Sequence, residues 1–176
     1  LVVSGTSGIE VQTDKAWQTG EEFGLPASFF ISKLDRENSD FEKVLSDIRS
    51  DYSDKAVPVF LPIGSESSFK GVIDVLKGRA YSYETNGSGK YVEGDIPADM
   101  ADAAAAAKEA LVEAVVEADD DLMMRYLDGE AISDDELIPV LRKAISKRLL
   151  LPVFPGSSTL NIGVHQVLDF IVDYFP

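Results

Sequence analysis

Four consecutive residues, Ser32-Lys33-Leu34-Asp35, put a hydroxyl, an ammonium and a carboxylate directly behind the apolar run Ser28–Ile31. A carboxylate in such a place can accept two hydrogen bonds side by side, from a ring N–H and from an exocyclic amine. Guanine offers that pair, whereas adenine carries an acceptor at the ring position and would be repelled. The stem of Lys33 is long enough to lie flat against a base. In open α/β sheets, ligands sit at the carboxyl ends of strands, so the reading depends on Ser28–Ile31 being a buried strand. Ordinary solvated loops also contain such residues, and a second loop has to support the first. Pro155-Gly156-Ser157-Ser158 follows the apolar run Leu149–Phe154 and is built of small residues. A serine turn at that place also suits a plain helix cap.

The elements that must position these loops alternate. Leu1–Val3 reads as a short buried strand. A helix follows over Val11–Phe23, with Thr13 as its cap, Gly24 and Pro26 stopping it, and Trp17 and Phe23 as core residues. The strand Ser28–Ile31 leads into a helix over Asp40–Ser50, where Phe41, Val44, Leu45 and Ile48 recur at helical spacing. Continuous apolar strands alternating with helices indicate a parallel sheet. The middle differs. Val57–Ile63 reads as one strand, and Val72–Val75 with Arg79–Tyr83 as a hairpin. A long helix from Pro97 to about Leu127 carries the stripe Leu111, Val115, Ala118, Leu122 and Tyr126. A shorter one over Asp134–Lys147 is capped by Ser133. This block is α+β and reads as an insertion. The alternation resumes with Leu149–Phe154 and a helix over Gly163–Tyr174.

Composition narrows the function classes. The 176 residues are 45% hydrophobic and 27% charged, enough for a packed core. The absence of cysteine excludes disulfides and thiolate metal sites. No apolar run approaches the roughly 20 residues of a membrane span. A net charge of −15 repels phosphate backbones, so no direct grip on nucleic acid and no membrane attachment are expected, and the simplest localisation is cytoplasmic. His165 is the sole histidine, with no companion ligand for a metal. Asp119-Asp120-Asp121 lacks the calcium-loop pattern and reads as a solvated helix face. No catalytic or metal-binding residue is expected in this chain.

Ser32-Lys33-Leu34-Asp35 resembles the Asn-Lys-x-Asp motif of GTP-binding proteins, with Ser in place of Asn. Gly156-Ser157-Ser158 stands where those proteins place a short Ser-Ala loop whose backbone N–H groups touch the guanine carbonyl. Further stretches look like the elongation factor G family: Gly8 to Thr13, Pro62 to Gly64, Phe69 to Asp74, Asp95 to Asp99, Leu111 to Val115, and Gly163 to Pro176. The resemblance runs in order through essentially the whole chain. It implies an α/β fold, a partial P-loop-GTPase-type doubly wound sheet of which this chain supplies the last three parallel strands and their helices, with an inserted α+β subdomain. Residues 1–54 and 149–176 would then be the C-terminal half of the GTP-binding domain and 55–148 the insertion. The same resemblance implies guanine-binding residues Ser32, Lys33, Asp35, Ser157 and Ser158, GTP or GDP as ligand, and ribosome-dependent GTP hydrolysis driving translocation. It also implies a ribosomal stalk protein as partner of the insertion. A module that only docks a protein partner, and a regulatory GTPase paralogue outside translation, remain alternatives.

Two departures from the family pattern matter. No G-x-x-x-x-G-K-[ST] loop and no Asp-x-x-Gly motif is present. The nearest decoy, Gly87-Ser88-Gly89-Lys90, has Glu84 where the first Gly belongs and Tyr91 where Ser or Thr belongs. Without phosphate-cradling amides or a Mg²⁺ ligand, the chain alone is expected to be inactive, with the phosphate and Mg²⁺ sites in a longer parent. Ser32 in place of Asn removes hydrogen bonds worth about 0.5–1.5 kcal/mol each, up to about tenfold in affinity. The opening Leu1-Val2-Val3 reads as a strand cut from its neighbour, which predicts an exposed apolar edge and self-association there.

Overall fold

The computed structural model describes residues 1–176. In chain order the elements are β1 (Val2–Ser4), α1 (Val11–Glu22), β2 (Phe29–Ser32), α2 (Phe41–Asp51), β3 (Ala56–Pro58), β4 (Phe60–Ile63), β5 (Gly71–Asp74), β6 (Arg79–Tyr83) and β7 (Tyr91–Gly94). Then come α3 (Ala101–Val116), α4 (Asp120–Leu127), α5 (Asp134–Ser146), β8 (Leu151–Pro155) and α6 (Val164–Tyr174). They form two sheets. The first is parallel, in the order β1-β2-β8-β3; the second is antiparallel, in the order β4-β5-β6-β7.

The parallel sheet follows from its apolar runs. Every residue of β8 is buried, and so are three of the four in β2, as expected for strands covered on both faces. Phe29 and Trp17 stack at 5.7 Å and Trp17 and Tyr52 at 5.1 Å, which clamps α1 and α2 to one face. On the other, Phe154 meets Phe60 and Phe170 of α6 at 5.7 and 5.1 Å. Arg148 fixes the chain where it returns to this sheet. Its guanidinium lies 4.8 Å over the Trp17 ring, pairs with Glu21 at 2.8 Å and donates to the carbonyls of Gly20 and Leu25 at the end of α1.

Several expectations are corrected. Val57–Ile63 is two strands. Val59 lies between them, donating its N–H to the Val153 carbonyl at 3.1 Å and accepting from the Val75 N–H at 3.1 Å. The chain therefore passes from one sheet to the other within one residue, and the parallel sheet has four strands where three were expected. The long helix breaks at Glu117–Asp119. Asp119 accepts from the Leu122 N–H and so starts α4, because a carboxylate one turn before a new apolar stripe caps better than it propagates. The hairpin gains a third strand, β7, which pairs with β6 from Ala80↔Gly94 to Tyr83↔Tyr91. Thr13 is three residues inside α1: Glu10 is the cap, and the Thr13 hydroxyl accepts from the Glu10 N–H. Trp17 is core, but Phe23 is 67% exposed. The Ser133 cap of α5 is present, with Glu136 completing a reciprocal capping box. One continuous cluster of 41 buried apolar residues runs under both sheets, so the antiparallel layer shares its core with the parallel one.

Candidate guanine-recognition site

Both loops singled out in the sequence leave the same edge of the parallel sheet, from the neighbouring strands β2 and β8. The first is anchored by what flanks it. The Ser32 carbonyl accepts from the Gly5 N–H at 2.7 Å, and the Asp40 N–H donates to the Gly5 carbonyl at 3.0 Å, so the loop after β1 holds both ends of it. A methyl at Gly5 would stand 2.9 Å from Leu34 Cδ2 and from the Ser32 carbonyl, which leaves room only for glycine. Leu34 is buried and turned into the core, while Lys33 is exposed and has φ 62°. The left-handed turn at Lys33 places successive side chains on opposite sides, Leu34 inward and Lys33 outward.

Asp35 follows with a side chain only 10% exposed. Its Oδ2 lies 3.4 Å from Arg36 Nε. Its Oδ1 is buried and has no hydrogen-bond partner, alone among the buried side-chain polar atoms of the chain. An orphaned buried acceptor costs about 1–3 kcal/mol, and more when charged. A ligand donating to that oxygen removes the penalty, and a base edge with adjacent N–H groups fits the carboxylate.

The second loop is joined to the first directly. The Leu34 N–H donates to the Gly156 carbonyl at 3.3 Å, and the Gly156 N–H to the Ile31 carbonyl at 2.9 Å. A methyl at Gly156 would come within 2.4 Å of two Phe30 ring carbons in β2 and 2.7 Å of the Ile162 carbonyl, so the close packing of this turn requires glycine here. Ser157 is fully buried and closes its own turn: its N–H and carbonyl pair with Ile162 at 3.0 and 2.9 Å, and its Oγ accepts from the Leu160 N–H at 3.1 Å. Ser158 is exposed, and its N–H has no partner within the chain. Of the two serines, Ser158 keeps a free N–H and Ser157 shapes the loop. Ser32 is buried, 5% exposed, at the base of the site.

The remaining sequence candidates lie elsewhere. Gly87-Ser88-Gly89-Lys90 is the turn between β6 and β7, closed by Glu84 N–H to Lys90 carbonyl at 3.0 Å. No helix follows it, so it lacks the helix N-terminus on which a phosphate loop depends. His165 is exposed on α6, its ring 6.0 Å from that of Tyr91. Asp119 caps α4 and pairs with Lys143 at 3.3 Å. No group of three or more His, Asp or Glu side chains is placed to hold a metal ion. No helix is long and apolar enough to cross a membrane. One participant gave no sequence signal: Glu66, 28 residues from its partner, accepts from the Asn38 N–H in the first loop at 2.7 Å.

Comparison with known proteins identifies the family. The sequence matches the elongation factor Tu GTP binding domain family over residues 1–176. A solved chain from Thermus thermophilus shares the fold with a TM-score of 0.88 and 33% identity; the match covers 99% of this chain and 26% of that one. The protein spans about a quarter of the Thermus chain's length and is a member of the elongation factor Tu GTP-binding-domain family of translational GTPases.

Proposed function

We propose that this chain is the base-reading part of the GTP-binding domain of a longer, elongation factor G-like GTPase acting in ribosomal translocation. The observation that carries the reading is Asp35 Oδ1, a buried carboxylate oxygen with no partner, at a loop hydrogen-bonded to the Gly156-Ser157-Ser158 turn. In this reading Asp35 accepts from the guanine ring N–H and exocyclic amine, Lys33 covers the base, and the Ser158 N–H meets the guanine carbonyl. Ser32 and Ser157 hold the two loops. The phosphates and Mg²⁺ are bound by segments of the longer protein outside these 176 residues, and the chain alone does not hydrolyse GTP. Residues 1–54 and 149–176 form the nucleotide-binding portion. Residues 55–148 form the insertion, of which β3 is lent to the parallel sheet, and its outer helices α3 and α4 offer a face to the ribosomal stalk protein. The site of action is the cytoplasm. At the sheet edge, β1 exposes Val2 to 69%, and in isolation this edge self-associates.

The test is GTP and ATP binding by the full-length protein, wild type beside Asp35→Ala. Selective GTP binding that the substitution abolishes supports the reading. Failure of the wild type to bind either nucleotide overturns it and leaves the insertion as a protein-docking module. Ribosome-stimulated hydrolysis then separates a translocase from a regulatory paralogue.

A further inference from the structure

The insertion touches both base-reading loops. After Asp35 the chain turns back on itself: the Arg36 N–H donates to the Lys33 carbonyl at 3.1 Å, the Ser39 N–H to the Arg36 carbonyl at 3.3 Å, and the Ser39 hydroxyl to the Leu34 carbonyl at 3.0 Å. The Asn38 N–H takes no part in this turn and donates instead to Glu66 Oε1 at 2.7 Å. Asn38 has φ 62° and Glu66 φ 50°. Asn tolerates the left-handed region, whereas Glu occupies it only when its surroundings force it there. They do so here. Gly64, with φ 79°, turns so tightly that a methyl would stand 2.2 Å from the Ser68 carbonyl. The Ser65 N–H donates to Ser68 Oγ at 3.1 Å, and that hydroxyl donates to the Ser65 carbonyl at 2.7 Å. A closed turn at the end of β4 thus presents the Glu66 carboxylate to the first loop.

The second loop is met by the β6–β7 turn. A methyl added to Gly87 would lie 3.3 Å from the Thr159 carbonyl, and one added to Gly89 would lie 2.3 Å from Asn161 Nδ2 and 3.0 Å from His165 Cε1. Both turns belong to the antiparallel sheet, whose strands are tied to one another along their length.

We propose that the antiparallel sheet of the insertion sets the guanine affinity of this site, with Glu66 as a positioning residue that holds the Asn38 N–H and through it the Asp35 loop. This rests on Asp35 being the base reader. Glu66 never touches the nucleotide; it fixes the backbone whose geometry points the Asp35 carboxylate. A protein bound to the insertion gains in this way a handle on nucleotide release.

The test measures the affinity and dissociation rate of N-methylanthraniloyl-GDP on the full-length protein, for wild type, Glu66→Gly, Glu66→Gln and Asp35→Ala. Glycine at 66 removes the acceptor while suiting the positive φ, so the fold keeps or gains thermal stability. Glutamine keeps an acceptor oxygen. Expected are a dissociation rate and Kd raised about three- to tenfold in Glu66→Gly, the size of one solvent-accessible hydrogen bond, and values within about twofold of wild type in Glu66→Gln. Amide exchange over residues 33–40 should accelerate in the glycine variant alone. If Glu66→Gly binds GDP as the wild type does while Asp35→Ala does not bind, the positioning role is wrong and the base-reading assignment stands. If the wild type binds no GDP, or Asp35→Ala binds it unchanged, both fall.

Discussion

Asp35 and Asp74 are both largely buried carboxylates, and they differ in how they are satisfied. Asp74 ends β5, is 5% exposed, and accepts from the Lys77 N–H at 2.8 Å within its own turn. Asp35 lies in the loop between β2 and α2, and its Oδ1 accepts from nothing. Burial pushes the Asp74 carboxyl up from its ordinary value, partly offset by the Lys77 and Leu76 N–H groups and by the nearby Lys77 charge. The first carboxylate stabilises a turn; the second keeps one buried oxygen without any donor. Burial alone therefore does not separate the two acids; the absence of a local donor does.

The sharpest way to break this comparison is Asp35→Ala. In the full-length protein it should weaken GDP binding at least about 100-fold, since two hydrogen bonds to a charged acceptor are lost at about 1.5–3 kcal/mol each. Thermal stability should hold or rise, because an unpaired buried acceptor disappears. A loss of stability with unchanged binding would make Asp35 the structural residue of the pair. Next is Ser32→Asn, which restores the amide of the Asn-Lys-x-Asp motif. An increase in GDP affinity of up to about tenfold is expected, read by titration; a decrease would mean that the buried pocket around residue 32 is shaped for serine.

Asp74→Asn tests the other half. The carboxyl of Asp74 is raised above its ordinary 3.8, so its contribution to stability is fully present below that value and is lost as pH rises through the raised one. Asparagine keeps the acceptor for the Lys77 N–H and does not ionise. The variant should match or exceed the wild type in Tm at about pH 7, and the wild type should gain on it as pH falls toward about 4. A difference independent of pH would contradict the assignment. The smallest effect belongs to Ser133→Ala, which opens the capping box of α5 and should cost about 1 kcal/mol by thermal or urea unfolding, without touching nucleotide affinity. Its partner Glu136 is held down at about 2 by Arg125 first and then Ser133, so the carboxylate's share of that support is present above its ordinary 4.5 and is lost as pH falls through about 2.

Strands β2 and β8 were legible because they are almost wholly buried apolar runs between helices, and such runs carry their own boundaries. Asp35 and the Gly156 turn were legible because each follows such a run. The antiparallel half was less so. Val57 to Ile63 shows no break in hydrophobicity at Val59, since that residue is buried by both sheets. The end of α3 is hidden because α3 and α4 share one apolar stripe across the gap. Tyr91 to Gly94 gives no strand signal because β7 is an edge strand with no fully buried residue. Glu66 could not be found at all. Its role depends on a backbone amide 28 residues away, and its own neighbours are ordinary polar residues. Ser158 stands beside Ser157 in the sequence, but only the folded chain shows which of the two N–H groups is free.

The strand order β1-β2-β8-β3 has a consequence for how the protein comes into being. The central strand β8 is the last to be made, and it must enter between β2 and β3. During synthesis at about 5–20 residues per second, the chain must add roughly ninety more residues after β3 before that gap can close, so two open strand edges persist for several seconds. The antiparallel sheet is assembled from neighbours in sequence and can form during that wait. Val59, hydrogen-bonded to both layers, is then the point from which the second sheet can hold β3 ready for the strand that completes the first.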